Sequence, residues 1–226
     1  MTTVGFVGGG RIVEAVARLS VAAGHRVVLN DSRGPEAVAD LVAELAPLIS
    51  AATAEQAAEA GDIVMVRTPF GAYPSIPVEP MAGKVVLDGC NYDPRRDGHI
   101  TDLDTGQVTS SGLLQRDLRG SQVVKVFNNI SARHLRSLAR PRGAADRSAL
   151  PIAGDDDRAK ATVTAFLDSI GYDAIDAGPL AESWRQQPGT PVYRSPYASL
   201  PGGTGTPAGA AKIRAALAAA GVARAR

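Results

Sequence analysis

The stretch 3-TVGFVGGGRIVE-14 decides how the rest of the chain is read. An apolar run over residues 3–8 meets Gly8-Gly9-Gly10 and passes directly into a helical pattern. That pattern sets Ile12, Val16 and Leu19 on one face and Arg11, Glu14 and Arg18 on another. Glycines allow a sharp turn and a close backbone approach, and the helix N-terminus that follows offers N–H groups and the positive end of a dipole. A second apolar run, residues 26–30, ends at Asn30-Asp31-Ser32-Arg33. This lies about 20 residues on, where a βαβ unit of this kind places its ribose-reading side chain. One departure stands out: Val13 occupies the position where a third glycine usually lets helix and strand pack closely.

The same alternation continues down the chain. Further strands are expected at 62–66, 84–88, 122–127, 150–153 and 172–176, with a weaker one at 49–52; further helices are expected at 35–46, 54–60 and 155–170. The strand segments are near-continuous apolar runs, as in a parallel sheet covered on both faces. The fold class is therefore α/β, a doubly wound Rossmann-type parallel sheet with right-handed crossovers. Composition changes after Gly178, where proline and glycine become dense before a closing helix begins at 210. The expected division is a dinucleotide-binding domain over 1–178 and a small helical and irregular segment over 179–226. The closing helix carries a stripe of Ile213, Ala216, Leu217 and Ala220. That stripe packs either on its own domain or on a second subunit.

At 226 residues, 45% hydrophobic and 21% charged, the composition is that of an ordinary globular chain. A formal net charge of +1 gives no field for nucleic acid or an anionic membrane, and no apolar run reaches membrane-spanning length. Cys90 is the single cysteine, so an intrachain disulfide is excluded. A cytoplasmic protein without nucleic-acid or membrane partners is expected.

Nucleotide choice is contested within one tetrapeptide. Asp31 suits the free ribose hydroxyls of NAD, whereas Ser32 and Arg33 offer a hydroxyl and a fork of donors to the NADP phosphate. NADP is the reading taken here, with Asp31 the point of conflict.

Several longer stretches then carry a family likeness. "GHRVVLNDSRGPEAVADLVAEL", "VVKVFNNISARHL", "ALPIAGDDDRAKATVTAFLDSIGYDAIDAGPLAESW" and "QQPGTPVY" resemble, in order, the F420-dependent NADP oxidoreductases. The resemblance implies homodimers in which a hydride passes between NADP(H) and the deazaflavin coenzyme F420. It implies that Gly8, Gly9, Gly10, Arg11 and Ile12 hold the pyrophosphate and that Ser32 and Arg33 hold the 2′-phosphate. Thr68, Pro69 and Phe70 would run along the cofactor, with Asn91, Asn128 and His134 near the nicotinamide and acceptor. Direct hydride transfer needs stacked rings rather than a catalytic dyad, and none stands out. Two departures concern the acceptor. The family usually has a small residue where this chain has Arg67, and "DGCNYDPRRDGH" replaces the usual "DATNPY". Arg67 either grips a phosphate or an acidic substrate, or pairs with a neighbouring carboxylate. An NADPH-dependent reductase of a small imine, carbonyl or enone, and a catalytically silent NADP-binding sensor, are the competing readings.

The remaining polar features read as structural. Asp155-Asp156-Asp157 opens a helix and is expected to cap it rather than bind metal. His25 and His99 carry no visible chemistry, Trp184 is either a packing anchor or an acceptor-pocket wall, and "GGTGTPAG" at 202–209 reads as a flexible connector.

Overall fold

The computed structural model describes residues 1–198 and 203–224. Its strands are β1 (Thr3–Gly8), β2 (Arg26–Leu29), β3 (Ile49–Ala51), β4 (Ile63–Arg67), β5 (Val85–Asp88), β6 (Gln122–Lys125), β7 (Ala149–Gly154) and β8 (Asp173–Asp176). Its helices are α1 (Arg11–Ala22), α2 (Ala39–Leu45), α3 (Ala54–Ala60), α4 (Pro94–Asp97), α5 (Thr101–Asp104), α6 (Ser110–Asp117), α7 (Ala132–Ser137), α8 (Asp157–Ser169) and α9 (Ala210–Arg224). The strands form one sheet in the order β3-β2-β1-β4-β5-β6-β7-β8. Pairing is parallel throughout except between β6 and β7, where it reverses. This departs from a wholly parallel sheet. Beyond β6 the chain turns through Phe127–Ile130 and α7, so β7 runs back alongside β6 in the opposite direction.

Because β1 lies between β2 and β4, the connections leave it in opposite directions at its carboxyl end. That is the switch point where open α/β sheets place ligands. The link from β4 to β5 contains no α-helix. Pro69, Pro74, Pro77 and Pro80 punctuate it with missing N–H donors, and it forms 3₁₀ turns at Phe70–Ser75 and Glu79–Met81 instead.

The two faces of β1 are packed differently. A Cβ placed on Gly5 would stand 2.0 Å from the Ala57 carbonyl oxygen, so α3 rests almost backbone to backbone on that face. On the opposite face Val13 is buried in the core with Val16 and Phe6, and its side chain fills the space between α1 and the sheet. Where a third glycine would let α1 close on the sheet, Val13 instead buries an aliphatic side chain, and the near backbone-to-backbone contact on β1 is that of α3 at Gly5. Threonine 53 fixes the start of α3 by a reciprocal capping box, accepting from Gln56 N–H (3.2 Å) while Gln56 Oε1 accepts from Thr53 N–H (3.1 Å).

The segment after Gly178 is woven into this core. Ile213, Leu217 and Ala220 of α9 are buried, and Ala216 packs against the same cluster, so the stripe lies on its own chain. Tyr197 is fully buried with its hydroxyl donated to Ala149 O (2.8 Å). The stretch expected to be a loose connector is anchored over its described part: Ala149 N–H donates to Ala208 O (2.8 Å), and Ala208 N–H donates to Ser148 Oγ (3.1 Å). Gly202 of that expected connector and residues 225–226 of the expected closing helix lie outside the described residues.

Candidate functional site

The glycine turn is shaped by what stands beside it. Gly8 (φ 104°) passes so close to the end of β4 that a Cβ there would lie 2.2 Å from Arg67 O. Gly10 (φ 99°) precedes α1, supplies no side-chain cap, and faces open space. The first N–H groups of α1 therefore have neither an intrahelical acceptor nor a side-chain cap, and they open onto a cleft.

Gly9, Gly10 and Arg11 divide that cleft into two lobes. The lobe on the β2 side, about 220 Å³, is walled by Asn30, Asp31 and Arg33 with Val38 and Leu41 beneath. Asp31 is buried with its carboxylate turned under Gly9, where a Cβ would meet Oδ2 at 2.0 Å. Arg33 folds back on it as a fork, Nε to Oδ1 at 3.0 Å and Nη2 to Oδ2 at 2.9 Å, while remaining 70% exposed. Those hydrogen bonds outweigh burial and hold the Asp31 carboxyl below its ordinary range. Ser32 is exposed beside them.

The lobe on the β4 to β6 side, about 590 Å³, is lined by Ile12, Arg67, Pro69, Asn91, Arg96, Asn128, Arg133, Tyr193 and Arg194, among others. Asn91 and Asn128 clasp one another: Asn91 Nδ2 donates to Asn128 O, and Asn128 Nδ2 to Asn91 Oδ1, both at 3.0 Å. Asn128 Nδ2 also donates to Gln186 O (2.8 Å), and Asn129 Nδ2 to Val192 O (3.1 Å), tying the tail to the end of β6. Behind the asparagines lies a buried ion pair between register neighbours, Lys125 Nζ to Asp88 Oδ2 at 3.1 Å. Lys125 also donates to Cys90 O (2.6 Å), and Asp88 accepts from Ser111 Oγ (2.7 Å) and Cys90 N–H (2.8 Å). This network fixes the turn that presents Asn91. Burial, with Asp88 alongside, pushes the Cys90 thiol up to about 12, so it is no nucleophile at neutral pH.

Among the described residues Arg67 meets no carboxylate; its Nε is buried without a hydrogen-bond partner, as is Asn128 Oδ1. Arg96 is neutralised by Asp97, with Nε and Nη2 both 2.7 Å from its oxygens. Burial raises the Asp97 carboxyl, but Arg96 and the N–H groups of Asp93 and Gly71 overcome this and bring it down to about 2. Arg194 has φ 62°, donates its N–H to Asn129 O (2.8 Å), and sets its guanidinium 5.2 Å from the Tyr193 ring centroid.

The other expected site residues lie elsewhere. Thr68 sits at the turn with its hydroxyl buried and unpartnered, whereas Phe70 is fully buried, stacked on Tyr73 at 4.9 Å. His134 stands behind the lobe rather than on its wall, its ring against Gly205. Burial, followed by the charges of Arg133 and Arg194, keeps its imidazole below the ordinary value. Trp184 lines a separate cavity of about 240 Å³ with Tyr92 and Gln187. Asp156 caps α8 by accepting from Ala159 N–H (2.7 Å), and Asp155 accepts from Leu180 N–H (2.8 Å). His25 bonds Ser169 Oγ (2.8 Å) and His99 bonds Asp104 (2.8 Å). Sequence reasoning missed Arg133, Tyr193 and Arg194 as lobe residues. Their one signal, a basic or aromatic side chain beside a family-like stretch, says nothing of where the chain folds back.

Residues 3–92 match the family model for coenzyme F420-dependent NADP oxidoreductases. The protein YjhV of Escherichia coli strain K12 is 42% identical over 53 residues; the match covers 24% of this chain and 39% of the length of that relative. Among solved structures, the hypothetical protein SMa0349 from Sinorhizobium meliloti aligns with TM-score 0.72 at 27% identity, covering 85% of this chain and 93% of that one. A candidate F420-dependent NADP reductase from Arthrobacter sp. FB24 aligns with TM-score 0.66 at 24% identity over 81% of this chain and 87% of its own, a likeness of fold. Among the described residues, no helix is long and apolar enough to cross a membrane. Residues 3–92, which carry the glycine turn, the Asp31–Arg33 pair, Arg67 and Asn91, thus match the coenzyme F420-dependent NADP oxidoreductase family.

Proposed function

We propose that this chain is an NADP(H)-dependent oxidoreductase that exchanges a hydride with the deazaflavin coenzyme F420. The observation that carries the cofactor half is the uncapped start of α1 at Gly10, opening between two lobes with Arg33 on the outer one. The residues present fit a dinucleotide. Unpartnered N–H groups of α1 suit its pyrophosphate, and the exposed outer edge of the Arg33 guanidinium, whose inner edge is held by Asp31, suits a 2′-phosphate. The unsatisfied Arg67 Nε and Asn128 Oδ1 leave polar atoms for a ligand on the other side.

On this reading Gly8, Gly9, Gly10, Arg11 and Ile12 hold the pyrophosphate, and Ser32 and Arg33 hold the 2′-phosphate. Thr68, Pro69 and Asn91 flank the nicotinamide side, and Phe70 acts through packing. When bound, NADPH would supply the hydride, and the acceptor would take it at carbon together with a proton from solvent. The chain's work is to orient two rings and exclude water, with the Asn91–Asn128 clasp as a rigid wall. His134, whose imidazole burial and then the charges of Arg133 and Arg194 keep below its ordinary value, contributes through position. The same reading has the tail completing the acceptor side, a homodimer as the working form, and a reducing cytoplasm as its setting.

Mixing the protein with NADPH and oxidised F420 and following their separate absorbance bands tests this directly. Stoichiometric loss of both bands is expected. NADPH binding without transfer would overturn the F420 assignment and leave either the small-molecule reductase, favoured by the unpaired Arg67, or the silent sensor.

A further inference from the structure

Arg67 closes the carboxyl end of β4, and its register partner is Gly8 of the glycine turn. Its side chain runs away from that turn, toward β5: a Cβ placed on Gly89 would stand 3.1 Å from Arg67 Cδ and 2.9 Å from Met65 Cε. Gly89 is held in place by its N–H bond to Val66 O (3.0 Å), so the missing side chain there is what lets the arginine pass. The guanidinium borders the lobe that also holds Gly9, Gly10 and Asn91. No acid answers it. Among the described residues no carboxylate lines this lobe, and Asp88 on the neighbouring strand is matched by Lys125 at 3.1 Å. Because Nε is buried and unpartnered, part of the field of this cation runs through protein and is screened less than in water.

The sheet fixes what that field would act on. On the NADP(H) reading, the pyrophosphate takes the start of α1 and the adenosine half takes the β2 side, where Arg33 stands. The nicotinamide half is left with the carboxyl ends of β4 and β5, which Arg67 spans. Oxidised and reduced nucleotides carry the same phosphates and the same adenosine. They differ in one respect that a cation senses: the oxidised ring bears a positive charge and the reduced ring bears none. Contacts common to both forms cancel in the ratio of their affinities, and the ring charge remains.

Resting on that reading, we propose that Arg67 selects the redox state of the nucleotide, holding NADPH more firmly than NADP⁺ through charge repulsion at the oxidised ring. A unit charge acting across a partly buried site changes an affinity by roughly tenfold. The arginine thereby poises the bound pair toward its reduced form, by about 30 mV in midpoint potential for each tenfold in the ratio.

The test compares the two dissociation constants in the parent chain and in two variants. NADPH binding is followed by its fluorescence, and NADP⁺ binding by calorimetry and by displacement of NADPH. Arg67→Gln removes the charge and should lower the ratio of the NADP⁺ to the NADPH dissociation constant by roughly tenfold. Arg67→Lys keeps the charge and should hold that ratio within about threefold of the parent's. Lost packing, or a general loss of attraction for phosphate, moves both constants together and leaves the ratio alone. The proposal is overturned if Arg67→Gln keeps the parent's ratio, or if Arg67→Lys loses it as fully as Arg67→Gln does. If neither nucleotide binds the parent chain, the cofactor reading falls and this proposal with it. If both bind and the ratio is unmoved, only this proposal falls.

Discussion

Asp31 and Arg33 were both visible as candidates in the tetrapeptide, yet their relation to one another was not. A turn places side chains two residues apart in no fixed way, so sequence could not tell a competing pair from a cooperating one. The structure makes them a unit: the buried carboxylate anchors the exposed fork. Removing Arg33 would therefore subtract a cation and also uncover an anion at the same spot. Arg33→Ala is expected to weaken NADPH roughly ten- to a hundred-fold, with NADH changed little, in parallel fluorescence titrations. Equal losses for both nucleotides would show that Arg33 does not meet the 2′-phosphate. Lys125 was illegible for a related reason. Its partner Asp88 lies 37 residues away on the neighbouring strand, and a lone lysine in an apolar run carries no mark of burial.

At the scale of elements, the strands were legible because near-continuous apolar runs have few alternatives; β1 matches the expected limits residue for residue. Helices α4 to α7 were not. They are four to eight residues long, and several are set by a single capping side chain, Asp93, Thr109 or Ser131, instead of an apolar stripe. The packing of α1 shows how a motif can be altered at one position. Val13, buried with Val16 and Phe6, fills the position under α1 as an aliphatic spacer, while Gly5 serves a separate contact with α3. Restoring the usual glycine should therefore harm the protein. Val13→Gly is expected to cost about 2–4 kcal/mol, from lost apolar burial and the poor helix propensity of glycine. Urea unfolding at neutral pH measures it, and an unchanged or increased midpoint would refute the spacer role.

For the molecule as a whole, the change in composition at Gly178 marks a loss of regular structure, and the tail is still packed into the sheet's own hydrophobic clusters. The buried stripe of α9, the Tyr197 hydroxyl and the Asn128 and Asn129 bonds make the far wall of the cleft part of the sheet's own support. Sequence could mark the stripe but not its partner, because small and aliphatic residues suit either an internal core or a second subunit. This construction gives Arg194 a cost as well as a place. A branched-off arginine held at φ 62° sits in a region that side-chain-bearing residues avoid, about 1 kcal/mol or more above the ordinary basins. The fold thus keeps a tense joint at the cleft, sustained by the bonds around it. Arg194→Gly is expected to melt no lower than the parent in thermal unfolding, and a clear drop in the melting temperature would show that the joint is not strained. At this one joint of the cleft wall, the chain carries a side chain where glycine would sit more easily, so stability is held in reserve there.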